Sequence, residues 1–499
     1  MSVFIICLLI YRLVYFDGED KFYKMKTNES KRMPILLGLL ISAFIGMFGE
    51  TAINIALTPL MKALHVSAPT VQWLSTGYLL IVGILVPVSG LLIRWFTTRQ
   101  LLFSALAAFI AGTFIAAMAQ GFPMLLTGRL IQGIATGILI PLLFNTVMAI
   151  YPPQKRGTAF GMVGLILMFS PAIGPTVAGL ILNALGWQWI FWLMLPFLIL
   201  ALVVSIIFCK DVNTVTRPEI DPLSIFLSTL GSGGIVAGCS FAGDLGWTST
   251  AVLFLLAIGV ISIILFSIRQ LKMENPMLNI RGFKIPMFTV GIVEVVTSFS
   301  IIMSAMLLLP MYWQGGKLLS AAIAGLLLLP GGIVNGLVSV ISGRLYDLYG
   351  PKWLVKIGAA LNIIAAIMFV NIRVSSSYVY VIGANILLMI GMPLVITCSQ
   401  TNGLNALPKE LSPDGSAIMN TGQQICGAIA IALTTTFLAA GENVYRATIG
   451  HSTAEMLTNG VKYGFTFTLV LAIIGFVLSL FMKHTSVLAL KPGLEQEKN

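Results

Sequence analysis

What most constrains this chain is a series of apolar runs, roughly fourteen of them and each about 20 residues long, the first centred near residue 46 and the last near residue 472. In lipid every backbone N–H and C=O must be bonded within the segment, so runs of this length resolve as helices that cross a bilayer. The composition agrees: 58% of the 499 residues are hydrophobic and 9% charged, against about 25% charged in an ordinary soluble domain. No stretch is left for a sizeable soluble domain. The chain reads as an all-α polytopic membrane protein whose work is done in the bilayer.

The net charge of +11 invites a nucleic-acid partner, but its distribution argues for topology instead. With a cytoplasmic N-terminus and alternating spans, about 23 of the 29 Lys and Arg fall on the cytoplasmic side, about five outside and one within a span. An even number of spans then places both termini inside, in a multi-pass protein of the cytoplasmic membrane. The five Cys are scattered without metal-ligand spacing, so neither a zinc site nor a disulfide framework is expected. No GxxxxGK[ST] phosphate loop occurs, which disfavours a primary pump, and no nucleophile–base pair marks an enzyme. The opening "MSVFIICLLIYRLVYFDGEDKFYK" is too short to span and is broken by Arg12. It reads as an upstream extension with the natural start at Met25, a peripheral anchor being the alternative.

An internal repeat organises the rest. "SGLLIRWFTTRQLL" from Ser89 and "SGRLYDLYGPKWLV" from Ser342 each open Ser-Gly at the cytoplasmic end of a span, turn tightly and reach a base, Arg99 or Lys352. The expected division is a cytoplasmic segment 1–33, a six-helix half 34–210, a linker with two inserted helices 211–272, a second six-helix half 273–482 and a tail 483–499. "GRLYDLYGPK" resembles the loop motif of the major facilitator superfamily. "LLTGRLIQGIATG" (Leu125 to Gly137) and "SPAIGPTVAGLI" (Ser170 to Ile181) resemble its fourth-helix and antiporter motifs. With "ETAINIAL" in the first span and "LGWQWIFWLMLPF" at the sixth, the chain is similar to the fourteen-span drug:proton antiporter family, and "WFTTRQL" to its Gram-positive lincosamide and multidrug exporters. The resemblance implies a major facilitator fold of two six-helix halves plus two inserted helices. Two departures matter: Arg94 replaces the motif's Asp and Thr97 its second Gly in the first loop, so a latch there is not expected.

Three ionisable residues fall well inside spans: Glu50, Arg129 and Glu294. Such groups face the bundle interior or a watery path rather than lipid. Ser42, Gly46, Glu50, Asn54 and Thr58 recur every four residues, so they form one small or polar stripe. Glu294 sits similarly with Gly291, Thr297 and Ser298 and is read as a rough counterpart of Glu50, able to supply a second exchangeable proton. A carboxylate in such a place can be occupied alternately by a proton or a cationic drug. Arg129 cannot lose its charge, and the resemblance implies a proton-transfer role for it. Structural pairing is the alternative for each of the three.

Gly174-Pro175 softens a helix. Gly343, Asp347, Gly350 and Lys352 form a turn whose carboxylate can cap a neighbouring helix. Asn54, Tyr78, Gln132, Asn145, Asn335, Asn385, Gln423 and Gln424 are candidates to line a cavity. The expected function is proton-coupled efflux of amphipathic, cationic small molecules by a monomer in the bilayer, without a cofactor beyond the proton. Export of a physiological lipid, peptide or metabolite is the nearest alternative, and a non-transporting sensor a more distant one.

Overall fold

A computed structural model describes residues 32–212, 215, 221–274, 276–408, 411–448 and 452–484. The reading of the first 24 residues lies outside them, as do the side chains of Thr58 and Pro175. The first group of helices is α1 (Arg32–Ala63), α2 (Ala68–Trp95), α3 (Thr98–Ala117), α4 (Phe122–Ile150), α5 (Arg156–Ala184) and α6 (Gln188–Phe208). Two more follow, α7 (Pro222–Leu245) and α8 (Thr250–Lys272). The last group is α9 (Pro286–Met311), α10 (Ala321–Tyr349), α11 (Pro351–Val370), α12 (Tyr378–Asn405), α13 (Ser412–Thr448) and α14 (Thr453–Ser479). All fourteen are long and apolar enough to cross a membrane. Their starts follow local chemistry: Ser67, Thr97, Ser320, Ser377 and Ser452 accept a backbone N–H as N-caps, and proline opens α2, α4, α7, α9 and α11.

The two groups meet most closely where α5 crosses α10. A Cβ at Gly161 would stand 2.5 Å from the Ser339 carbonyl oxygen, and one at Gly343 would collide with the Gly157 carbonyl. Small residues thus let the two backbones touch. Gly179, further along α5, has nothing within 4 Å of its Cβ position. The α7–α8 pair lies beside the opposite seam. α7 packs on α2 through Val236 at Gly83 and Phe241 edge-on to Trp73, and the turn after it reaches α13 through a 2.5 Å bond from Trp247 Nε1 to Thr436 Oγ1. Asp221 ties this pair together: it caps α7 and accepts Arg269 Nε at 2.6 Å and Nη2 at 3.1 Å. The guanidinium holds the Asp221 carboxyl down to about 2. That contribution is complete above the ordinary carboxylate range and is lost only as the pH falls through 2.

The repeated loops make the same turn by different means. Gly350, between α10 and α11, has φ 72°, a left-handed conformation that costs an L-residue. Thr97, its counterpart, stays extended at φ −70° and closes a capping box with Gln100. Thermal unfolding in detergent separates the two. Gly350→Ala is expected to lose about 1–2 kcal/mol and several degrees of Tm, because it adds backbone strain and a Cβ 2.6 Å from His484 Nδ1. Thr97→Gly loses only a few tenths of a kcal/mol. A Gly350→Ala protein with the parent Tm contradicts this reading.

Candidate functional site

Arg129 projects from α4 into the first group of helices and is 1% exposed. Its Nε donates to the Leu74 carbonyl at 3.2 Å and its Nη1 to Gln132 Oε1 at 2.9 Å. Gln132 passes the interaction on, Nε2 donating to Thr113 Oγ1 at 2.8 Å. The guanidinium carbon lies 4.3 Å from the centre of the Tyr78 ring, whose hydroxyl bonds Thr136 Oγ1 at 3.0 Å. α2, α3 and α4 are therefore joined through one cation. α1 completes the enclosure: a Cβ at Gly49 would stand 3.7 Å from Arg129 Nη1 and 2.8 Å from the movable Cε of Met194, so the backbone of α1 passes close beside the cation.

The next residue is Glu50. It is half-buried, and none of the described hydrogen bonds or ion pairs involves it. Along its stripe, exposure rises in one direction. Ser42 is buried and bonded to Gly38, Gly46 abuts Thr136, Glu50 is half-buried, and Asn54 is exposed, accepting a 2.7 Å bond from Ser75 Oγ. The stripe runs from a sealed interior to an open face, with the single carboxylate at the boundary. A few ångströms of helix separate it from a permanent cation, an arrangement that can couple occupancy of the acid to the pairing of the base. Gly174 seats α5 against Thr51, beside Glu50.

Other expected residues are placed differently. Tyr78 and Gln132 are fully buried and bonded within the Arg129 network, so here they have no surface to offer a substrate. Asn145, Asn335 and Asn385 are buried as well, Asn335 Nδ2 lying 3.4 Å from Met389 Sδ. Gln423 and Gln424 on α13 are half-buried. Glu294 is 0% exposed and neither carboxyl oxygen has a hydrogen-bond partner among the described residues. It fits against α14 because Gly475 lacks a side chain, with Oε2 3.5 Å from the Cβ position. Glu294 follows Pro286 by eight residues and Glu50 follows Arg32 by 18, roughly 12 and 27 Å along the helices. The two acids differ in their distance from the helix starts and in their surroundings.

The end of the molecule that carries the repeated loops is closed. Asp347 caps α5: its carboxylate accepts Gly157 N at 2.9 Å, Thr158 N at 2.8 Å and Thr158 Oγ1 at 2.6 Å. Beside it Arg156, absent from the sequence-based set, donates to the Met148 and Tyr151 carbonyls and, at 2.8 Å, to Asn405 Oδ1 of α12. Lys352 is exposed. At the other seam Arg94 donates to Asp414 Oδ1 of α13 at 2.8 Å and to the Met277 carbonyl. The loop in which no latch was expected therefore holds a contact between the two groups of helices, because an acid faces the substituted base.

The chain's relatives agree with this architecture. Residues 39–431 match the family described as Major Facilitator Superfamily. The lincomycin resistance protein LmrB of Bacillus subtilis is 52% identical over 468 residues, covering 92% of this chain and 98% of that protein. The protein of the same name in Listeria monocytogenes is 50% identical over 460 residues, covering 91% and 98%. Among solved structures, the human organic anion transporter MFSD10 (TETRAN) superposes with a TM-score of 0.64 at 13% identity, covering 90% of this chain and 99% of that one, which speaks to fold alone.

The Asp347 cap predicts a measurable opening. Ser339, 1% exposed at the α5–α10 crossing, is replaced by Cys in a protein whose five native Cys are replaced by Ser. Adding Asp347→Asn removes the charge from a cap worth roughly 1.5–3 kcal/mol. Alkylation of Ser339→Cys is then expected to speed up about tenfold. An unchanged rate contradicts the cap's role in closure.

Proposed function

The chain belongs to the major facilitator superfamily, and from that premise we propose that it is a proton-coupled exporter of amphipathic, cationic compounds. The observation that carries the reading is Glu50, one unpaired carboxylate at the inner limit of an open polar stripe, next to a buried, permanently charged Arg129. The relatives named for lincomycin resistance support lincomycin as one of its substrates.

The excess of Lys and Arg assigns the latched end to the cytoplasm. The form described here then faces outward, and Glu50 takes its proton from outside. Protonation removes the charge that Arg129 feels. The halves rock apart at this end, the two seams release, and Glu50 meets the cytoplasm, where a cationic substrate displaces the proton. Return with substrate bound completes export. Asn54, Gln423 and Gln424 are the polar residues with surface to meet such a substrate. Glu294, enclosed without a partner, is assigned the second exchangeable proton that a dication would require. No cofactor takes part beyond the proton.

Glu50→Gln keeps the volume and hydrogen bonding of the side chain and removes its titration. In cells with matched membrane levels, it is expected to lower protonophore-sensitive efflux of ethidium at least about tenfold and to abolish protection against lincomycin. Efflux equal to the parent refutes the assignment.

A further inference from the structure

We infer that Arg94 and Asp414 form a gate latch with exchanged signs, the counterpart in the second seam of the Asp347 cap, and that this pair must part for the latched end to open. The inference rests on the alternating-access reading above.

The repeat supplies the argument. Aligning the two loops places Gly90 on Gly343 and Arg94 on Asp347. The helices these loops touch correspond as well: α5 begins "RGTA" at Arg156 and α13 reads "DGSA" at Asp414. Both positions of the seam have exchanged sign, Asp347 for Arg94 in the loop and Arg156 for Asp414 on the facing helix. One change alone would set like charges against each other. Together they leave each seam with one acid and one base.

Each loop glycine meets the same four-residue stretch of its facing helix, though not the same positions in it. Gly343 lies against Gly157 and Thr158, and a Cβ at Gly90 would stand 3.3 Å from Ala417 Cβ and 3.9 Å from Asp414 Oδ1. Thr158 donates its hydroxyl to Asp347. Its counterpart Ser416 is 1% exposed, and its Oγ has no hydrogen-bond partner among the described residues. That orphan is what a loop base in place of a loop acid leaves behind, since a guanidinium accepts nothing.

The exchanged pair also does something its counterpart does not. The Asp414 side chain is 2% exposed and that of Arg94 20%, so the ion pair is largely shielded from solvent and either partner alone is a nearly buried charge. Arg94 Nη2 additionally reaches the Met277 carbonyl, in the segment that leads from α8 back to α9. The same guanidinium thus fastens α2 to α13 and to the return segment of the inserted helix pair. Both contacts come from one nitrogen, Nη2, and Nε is buried with no hydrogen-bond partner among the described residues.

The test uses the Ser339→Cys reporter, which lies in the other seam and so registers opening of the whole end rather than local damage. Alkylation is followed in nanodiscs for Arg94→Asp, Asp414→Arg and the double exchange, which rebuilds the sign order of the first seam. Arg94→Asp, which opposes two carboxylates, is expected to accelerate labelling roughly tenfold or more, and the double exchange to return it to within about twofold of the parent. Single variants that label at the parent rate, or a double exchange as fast as its worse single, overturn the inference. If a charge-reversed protein does not fold, the neutral cycle Arg94→Gln and Asp414→Asn decides. A double variant no faster than either single supports the pair, and multiplying effects refute it. Labelling needs neither drug nor proton gradient, so its outcome stands apart from any failure of the efflux reading.

Discussion

A guanidinium that cannot be neutralised, enclosed at 1% exposure among transmembrane helices, sets the terms for everything around it. Burying such a charge costs several kcal/mol unless its donors and its field are answered. The answers are a backbone carbonyl on α2, Gln132 held by Thr113 of α3, and the face of Tyr78, while Nη2 is left without a hydrogen-bond partner among the described residues. They bring three helices into one register. They also consume Tyr78 and Gln132, two polar residues that would otherwise be free for a substrate. What remains is Glu50, near enough to feel the charge and open enough to exchange its occupant.

Closure at one end follows from the same economy of charge. Both seams place their acid in the second half, Asp347 and Asp414, and their positive partner in the first, the α5 N-terminus and Arg94. The close α5–α10 crossing, made by glycines and Ser339, leaves no space for side chains, so a reagent reaches Ser339 only when this end opens. The inserted α7 stands against α2 and α13 at the opposite seam. Latches, crossing and flank therefore lie at known positions relative to the acid that would drive them.

The fourteen spans, the repeat, and the placement of Glu50 and Arg129 within the bundle and of Asp347 at a helix start were legible in the sequence, because a charge in an apolar run and a Gly-Asp-Gly turn report on their own surroundings. Partnerships were not. Arg94 and Asp414 lie 320 residues apart, and nothing local to "LLIRWF" announces that an acid will face it. The signal existed in the comparison of "RGTA" with "DGSA", which becomes visible only once the loops are known to touch those helices. The enclosure of Glu294 and the openness of Glu50 were not legible, because periodicity gives a face without giving its neighbours. Tyr78 and Gln132 were read as lining residues because polarity alone does not separate a group that meets substrate from one that holds an arginine.

The central claim is that one site on Glu50 is held either by a proton or by the cationic substrate. Ethidium added to the purified protein in weakly buffered detergent at neutral pH, with proton release and binding measured together, tests it directly. The account predicts about one proton released per ethidium bound by the parent protein and none by Glu50→Gln; equal release from both proteins would contradict it.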